Sequence, residues 1–226
     1  MMLRMEMHLH TQYSIDSYLK LDTIIKVCQR KGINAIAVTD HGTIEGAERL
    51  REKIEKKNAN IKVITGEEIF TTKGEIIGLF LKERIPYSLS PEETIRRIKE
   101  QEGLVYIPHP FIPLIANSLG EELYEFSKKI DIVEVFNARS FFRRSGKRAS
   151  QFAQDNGIVT AAGSDAHFAS EIGNAYMELE DFNSPQEFLR NLKEAKTIIK
   201  GRGWLFSPLS YAILFLSKIR GKDKLL

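Results

Sequence analysis

Short apolar runs alternating with amphipathic stretches constrain most what this chain can fold into. The runs Leu3–Leu9, Ala35–Thr39, Lys62–Thr65, Glu75–Leu81, Leu104–Ile107, Ile132–Phe136, Val159–Ala162 and Ala175–Leu179 read as strands. Most are rich in Val and Ile, as strands covered on both faces are. Between them, Leu21, Ile24, Ile25 and Cys28 recur at helical spacing and share one face. Ser90-Pro91-Glu92-Glu93 and Ser184-Pro185-Gln186-Glu187 each join a capping serine to a proline at the first helical position. Strand–helix alternation predicts an α/β fold with a parallel sheet, either closed into a barrel or left open and doubly wound. A length of 226 residues without a linker or repeat predicts one domain, or at most two small ones.

Composition excludes several function classes. Hydrophobic residues at 42% and charged residues at 28% describe a globular chain, not a disordered or multi-span membrane one. The lone Cys28 excludes an intramolecular disulfide and a cysteine-based zinc finger. With no secretory pattern in Met1 to Met7, it points to the cytoplasm. A net charge of +3 is too balanced to argue for nucleic-acid binding. The apolar run Trp204–Leu216 falls short of the roughly 20 residues that span a bilayer. It reads as a C-terminal helix started by Ser207-Pro208 and followed by a basic tail. Packing on the barrel or on a second subunit is favoured over a peripheral membrane anchor. The expected division is therefore 1–203 for the main domain and 204–226 for this appendage.

The chemistry concentrates where apolar runs end. In His8-Leu9-His10 the two imidazoles share a strand face. The same alternation puts Arg4 and Glu6 with them, and Leu3, Met5, Met7 and Leu9 opposite. Asp40 and His41 follow Ala35–Thr39, Glu67 and Glu68 follow Thr65, His109 follows Ile107, and Asp165 and His167 follow Ala162. Asp16 lies in the loop after His10. Each element has a plain structural alternative, such as a solvent-facing His pair or Asp40 capping the next helix. Core histidines, however, would scatter over helices and strand interiors. All five of these sit at or just past strand ends, where parallel α/β barrels place their chemistry. Imidazole and carboxylate without thiolate suit Zn, Mn or Fe, and this many donors suit a cluster of two or three divalent ions.

These motifs, from His8-Leu9-His10-Thr11 through Thr39-Asp40-His41-Gly42, Gly66-Glu67-Glu68-Ile69 and Pro108-His109-Pro110 to Gly163-Ser164-Asp165-Ala166-His167, resemble the polymerase-and-histidinol-phosphatase (PHP) superfamily of metal-dependent phosphoesterases. The resemblance implies a distorted (β/α)7-type barrel with a trinuclear metal site at the C-terminal rim of its strands. It implies that His8, His10, Glu68 and Asp165 hold one ion and Asp16, His41 and His167 a second. Glu68 bridges to a third, which His109 also binds. Asp40 matches a family acid that orients ligands or carries a proton. Glu75 stands where many relatives have histidine, so the third site is expected to be weaker or to prefer another metal. Glu6 stands where many begin the first motif with Asp. At the end of Ile132–Phe136, Asn137 and Arg139 are the expected substrate contacts, with Arg139 clamping phosphate. Arg143, Arg144, Lys147 and Arg148 read better as a solvated helix face. The implied activity is hydrolysis of a small phosphorylated metabolite or nucleotide by a metal-activated hydroxide. The alternatives are an exonuclease or nucleotide bisphosphate phosphatase, and a non-catalytic metal-bound domain. A homo-oligomer through the C-terminal helix is the expected protein partner.

Overall fold

The computed structural model describes residues 1–112, 118–140 and 143–201. The helix and tail expected over 204–226 lie outside them. In chain order the elements are β1 (Met2–Leu9), α1 (Leu21–Lys31), β2 (Ala35–Val38), α2 (Glu45–Lys56), β3 (Lys62–Phe70), β4 (Glu75–Leu79), α3 (Pro91–Glu100) and β5 (Leu104–Ile107). A 3₁₀ segment (Gly120–Lys129) follows, then β6 (Ile132–Asn137), α4 (Arg143–Asn156), β7 (Val159–Gly163), β8 (Ala175–Glu180), α5 (Pro185–Lys193) and β9 (Lys196–Ile199). Both serine caps form: Ser90 accepts from Glu93 N–H at 3.2 Å and Ser184 from Glu187 N–H at 3.1 Å.

The strands make one sheet in the order β7-β6-β5-β4-β3-β2-β1-β8-β9. It curls until the segment after β7 meets β1, with β8 and β9 continuing beyond β1. Leu9 bridges Ala166, with His10 N–H donating to Ala166 O and Ala166 N–H to His8 O. A single buried cluster draws on Met5 and Met7 from β1, Ala37 from β2, Ile64 from β3, Ile77 from β4, Tyr106 from β5, Ile132 from β6, Ala162 from β7 and Met177 from β8. A cluster fed by all of these strands is the interior of a nearly closed barrel. Two outer layers cover it. One packs α1 and α2 on β1 and β2 through Ile24, Cys28, Leu50, Ile36 and Val38. The other packs α3 and α4 on β4 to β6 through Ile98, Phe152, Ile76, Val105 and Val133. Phe182, with Phe188 and Leu192 of α5, joins the interior cluster and plugs the end away from the histidines.

The architecture is thus the distorted α/β barrel that the motifs imply, but the sheet is mixed. Pairs β1–β2, β2–β3, β5–β6 and β6–β7 are parallel, whereas β3–β4, β4–β5, β1–β8 and β8–β9 are antiparallel. The hairpin turn Thr71–Gly74 reverses the chain, because the Thr71 hydroxyl accepts from the amides of Lys73 and Gly74 and donates to Gly74 O. Strand β9 was not expected from the sequence, since it is a mostly exposed edge without a continuous apolar run.

The side-chain phase of β1 also differs from simple alternation. Its register against β2 shifts between Glu6 and Leu9, and such an irregularity switches which residues face inward. Met7 joins the interior cluster and Leu9 the helix-side layer. Glu6 does not share the site of His8 and His10. Its carboxylate accepts from Ser164 N–H and Gly173 N–H, both at 2.9 Å, and ties β1 to the β7–β8 connection.

Candidate metal centre

The rim side chains are delivered by several strands and the segments that follow them. His8 and His10 come from β1, His41 follows β2, Glu68 lies inside β3, His109 follows β5, and Asp165 and His167 follow β7. Glu75 opens β4, and because β4 runs antiparallel to β3, that first residue lies at the same rim. Glu68 is the hub. Its Oε2 lies 3.0 Å from His8 Nε2, 3.1 Å from His10 Nε2 and 3.8 Å from His41 Nε2, while Oε1 lies 3.2 Å from His109 Nε2. The neighbouring Glu67 points the other way and accepts from Ile85 N–H at 2.8 Å.

Four donor sets form, each with its ligand atoms within 4.8 Å of one another: His8–His10–Asp165, His10–His41–Glu68, His10–Asp16–His167 and Glu68–Glu75–His109. All nine expected ligands therefore meet at one rim, with a partition that differs in detail from the implied one. Asp16 and His167 group with His10, and His41 groups with His10 and Glu68. His109 Nε2 also lies 3.5 Å from Glu75 Oε2. Asp16 is held by a hydrogen bond from the Ser14 hydroxyl at 2.6 Å and lies 2.6 Å from His167 Nε2. Imidazoles and carboxylates this close and this deeply buried form the donor set of borderline and hard divalent ions, so the residues fit such a group.

The electrostatics follow from packing charge where water is scarce. Burial alone would discourage a charge on His41, but Asp16 and Glu68 outweigh it and bring its pKa up to about 10. His109 rises against burial to about 9, through its contact with Glu68 and the charge of Glu75. His8 is also held well above the usual imidazole value, burial being overcome by Glu68, Asp165 and Glu134. His167 goes the other way, to about 4, because burial and the charges of Arg139 and His10 outweigh Asp16. Burial and the like charge of Glu68 push Glu75 upward. Despite burial, Asp16 and Asp165 lie well below the carboxylate range, Asp16 through His167 and His41, Asp165 through His8 and Arg139.

Of the residues expected to act on substrate, Arg139 reaches the cluster. Its Nη1 lies 2.8 Å from His167 Nδ1 and 3.5 Å from Asp165 Oδ1. Asn137 donates to Glu134 at 2.9 Å and Asp165 at 3.3 Å, and accepts from Arg139 N–H at 2.9 Å. Asp40 sits behind the ligands, where both its oxygens accept from Thr11: the amide at 2.5 Å and the hydroxyl at 2.6 Å. Burial brings its pKa up to about 6. Arg144, Lys147 and Arg148 are exposed on α4. Beside His109 a cavity of about 310 Å³ opens between the rim and the first turn of α4, lined among others by Phe136, Asn137, Ser145 and Lys147.

Sequence reasoning missed the role of Glu134. It accepts from Tyr106 Oη at 3.0 Å, His109 N–H at 2.9 Å and Asn137, and lies 3.2 Å from His8 Nδ1. The available signal was a lone acid inside the apolar run of β6. Glu171 was also missed; it accepts from the amides of His167 and Phe168 at 2.8 and 3.0 Å.

The PHP domain family matches residues 6–214. An uncharacterized protein of Methanocaldococcus jannaschii is 47% identical over 146 residues, covering 60% of this chain and 82% of that protein. A probable phosphatase of Caldanaerobacter subterraneus is 28% identical over 236 residues, covering 84% of this chain and 89% of the relative. In structure, the chain is similar to a two-domain Bacteroides vulgatus protein described as containing a predicted PHP-like metal-dependent phosphoesterase. That likeness has a TM-score of 0.72 and 18% identity, over 96% of this chain and 70% of the other.

Proposed function

Since the chain belongs to the PHP-domain family, we propose that it hydrolyses the phosphate esters of small metabolites or nucleotides at this rim. The observation that carries the reading is the position of Glu68: one carboxylate faces four imidazoles, with Arg139 and an open cavity alongside. His8, His10, Glu68 and Asp165 would hold one divalent ion, Asp16, His41 and His167 another, and Glu68, Glu75 and His109 a third. Bound there, the ions supply Lewis-acid polarisation of a phosphoryl oxygen and lower the pKa of water.

The chain's own groups do the rest. Arg139, held beside His167 and Asp165, would meet phosphate oxygens through its guanidinium, the group that suits phosphate geometry. Asn137 fixes the Arg139 backbone and steadies Asp165. Asp40 orients the loop after β1 through Thr11 and so positions His10; it acts as a positioning residue. The cavity beside His109, at about 310 Å³, stands at the small end of ligand sites and favours a small leaving group over a polymer.

The test is release of inorganic phosphate from a panel of sugar phosphates, 5′-nucleotides and nucleotide bisphosphates by protein loaded with Zn²⁺ or Mn²⁺. Turnover that chelator abolishes and His41→Ala reduces by at least about tenfold is expected. Degradation of labelled single strands without monoester hydrolysis would favour an exonuclease instead, and no turnover on either would leave a metal-bound domain without catalysis.

A further inference from the structure

Three of the four donor sets combine two imidazoles with one carboxylate, and Glu68–Glu75–His109 reverses that ratio. The reversal comes from one side chain. Glu75 is brought to the rim by the β3–β4 hairpin, buried, with its Oε2 3.5 Å from the His109 nitrogen that also faces Glu68. Carboxylate oxygen is a harder donor than imidazole nitrogen. Oxygen-rich sites suit Mg²⁺ and Mn²⁺, whereas imidazole-rich sites suit Zn²⁺ and its neighbours. His109 also lines the cavity, and all three residues of this set are buried.

Resting on the reading of the rim as a metal centre, we infer that the centre takes two kinds of ion: zinc-class ions on its imidazole-rich side, and a hard cation, Mn²⁺ or Mg²⁺, at Glu68–Glu75–His109. Glu75 is the residue that sets the difference. Divalent affinities rise generally from Mn²⁺ toward Zn²⁺. The second carboxylate therefore has only to narrow that gap, so that manganese in excess occupies this position while zinc stays on the others.

Chelator-treated protein reloaded with two equivalents of Zn²⁺ and then titrated with Mn²⁺ tests this, read by metal analysis after gel filtration and by the EPR signal of bound manganese. About two zinc ions and one manganese per chain are expected. Glu75→His should weaken manganese binding by roughly tenfold or more, the low end of what even outer-sphere changes cost a metal site, and should take up a third zinc. Glu75→Asp should keep the manganese, and circular dichroism of each variant separates lost selectivity from lost fold. Equal manganese affinity in wild type and folded Glu75→His, or no manganese retained beside two zinc ions, overturns the inference. Retention of no divalent ion at all would remove the metal centre itself. The expected stoichiometry without phosphate release would count against the hydrolase reading alone.

Discussion

Glu134 belongs to none of the four donor sets, yet His8, His109 and Asn137 all depend on it for orientation. Partners of this kind fix the ring orientation of ligating histidines, and losing one typically lowers metal affinity about 10–100-fold. Glu134→Gln keeps the shape but turns an acceptor oxygen into a donor NH₂ that faces existing donors. We expect affinity to fall within that range, measured by competition with a chromogenic chelator; unchanged affinity would mean that His8 is oriented without it. The contrast with the ligands shows what the sequence makes legible. His8, His41, His109 and His167 stand out because a polar side chain closing an apolar run has no packing purpose. Glu171 bonds the nearby amides of His167 and Phe168 in a loop with no apolar run to mark it, whereas Glu134 meets His8, Tyr106 and His109 only after strands distant in sequence come together. The same holds for Asp40, whose acid after a strand suggests a helix cap or a proton carrier until its bonds to Thr11 are seen.

At the scale of elements, the positions of eight strands were legible, although β3 runs on to Phe70 past the Thr65 end read from the sequence and β9 was missed; their directions were not legible. Apolar runs mark a buried strand whichever way it runs, so β4 reads like its parallel neighbours. The four residues of the Thr71-Thr72-Lys73-Gly74 turn are the signal that β3 and β4 form a hairpin. The phase of β1 was illegible for a related reason: the shift near Met7 arises where β1 must pair with β2 and also close against β7. That closure rests on Gly163, the last residue of β7, where an added Cβ would lie 2.6 Å from His8 Cβ and 2.7 Å from Glu134 Oε1. Neither neighbour has room to withdraw, since both are buried and hydrogen-bonded. Gly163→Ala should therefore cost about 1–3 kcal/mol, the usual range for overpacking, and should weaken metal binding by displacing His8. Urea unfolding of chelator-treated protein together with a metal titration checks both effects. A variant as stable as wild type would show that β7 does not approach β1 this closely.

For the whole molecule, a barrel plugged at one end and charged at the other couples stability to pH. In protein stripped of divalent ions by chelator, His41 and His109 have folded pKa values of about 10 and 9, against an ordinary 6.5. A histidine raised by folding contributes stability that is complete below its unfolded pKa and lost as pH rises through the folded one. The stripped protein should therefore lose stability steadily from about pH 7 to pH 9. Glu6 and Glu67, each brought to about 7 by burial, act in the same direction but over a lower window, from their ordinary 4.5 upward. The depressed groups do not oppose this. Asp16 and Asp165 contribute stability that is lost only in acid, and His167, at about 4, changes its contribution only below 6.5. Metal ligation requires neutral imidazole, so binding releases protons and strengthens as pH rises. Urea midpoints at pH 7 and 9, taken on stripped and loaded protein, separate the two trends. The stripped midpoint should fall and the gap to the loaded protein should widen. A stripped midpoint that holds or rises would mean that the imidazoles are already neutral at pH 7, and that the carboxylates around them do not hold the protons this geometry assigns.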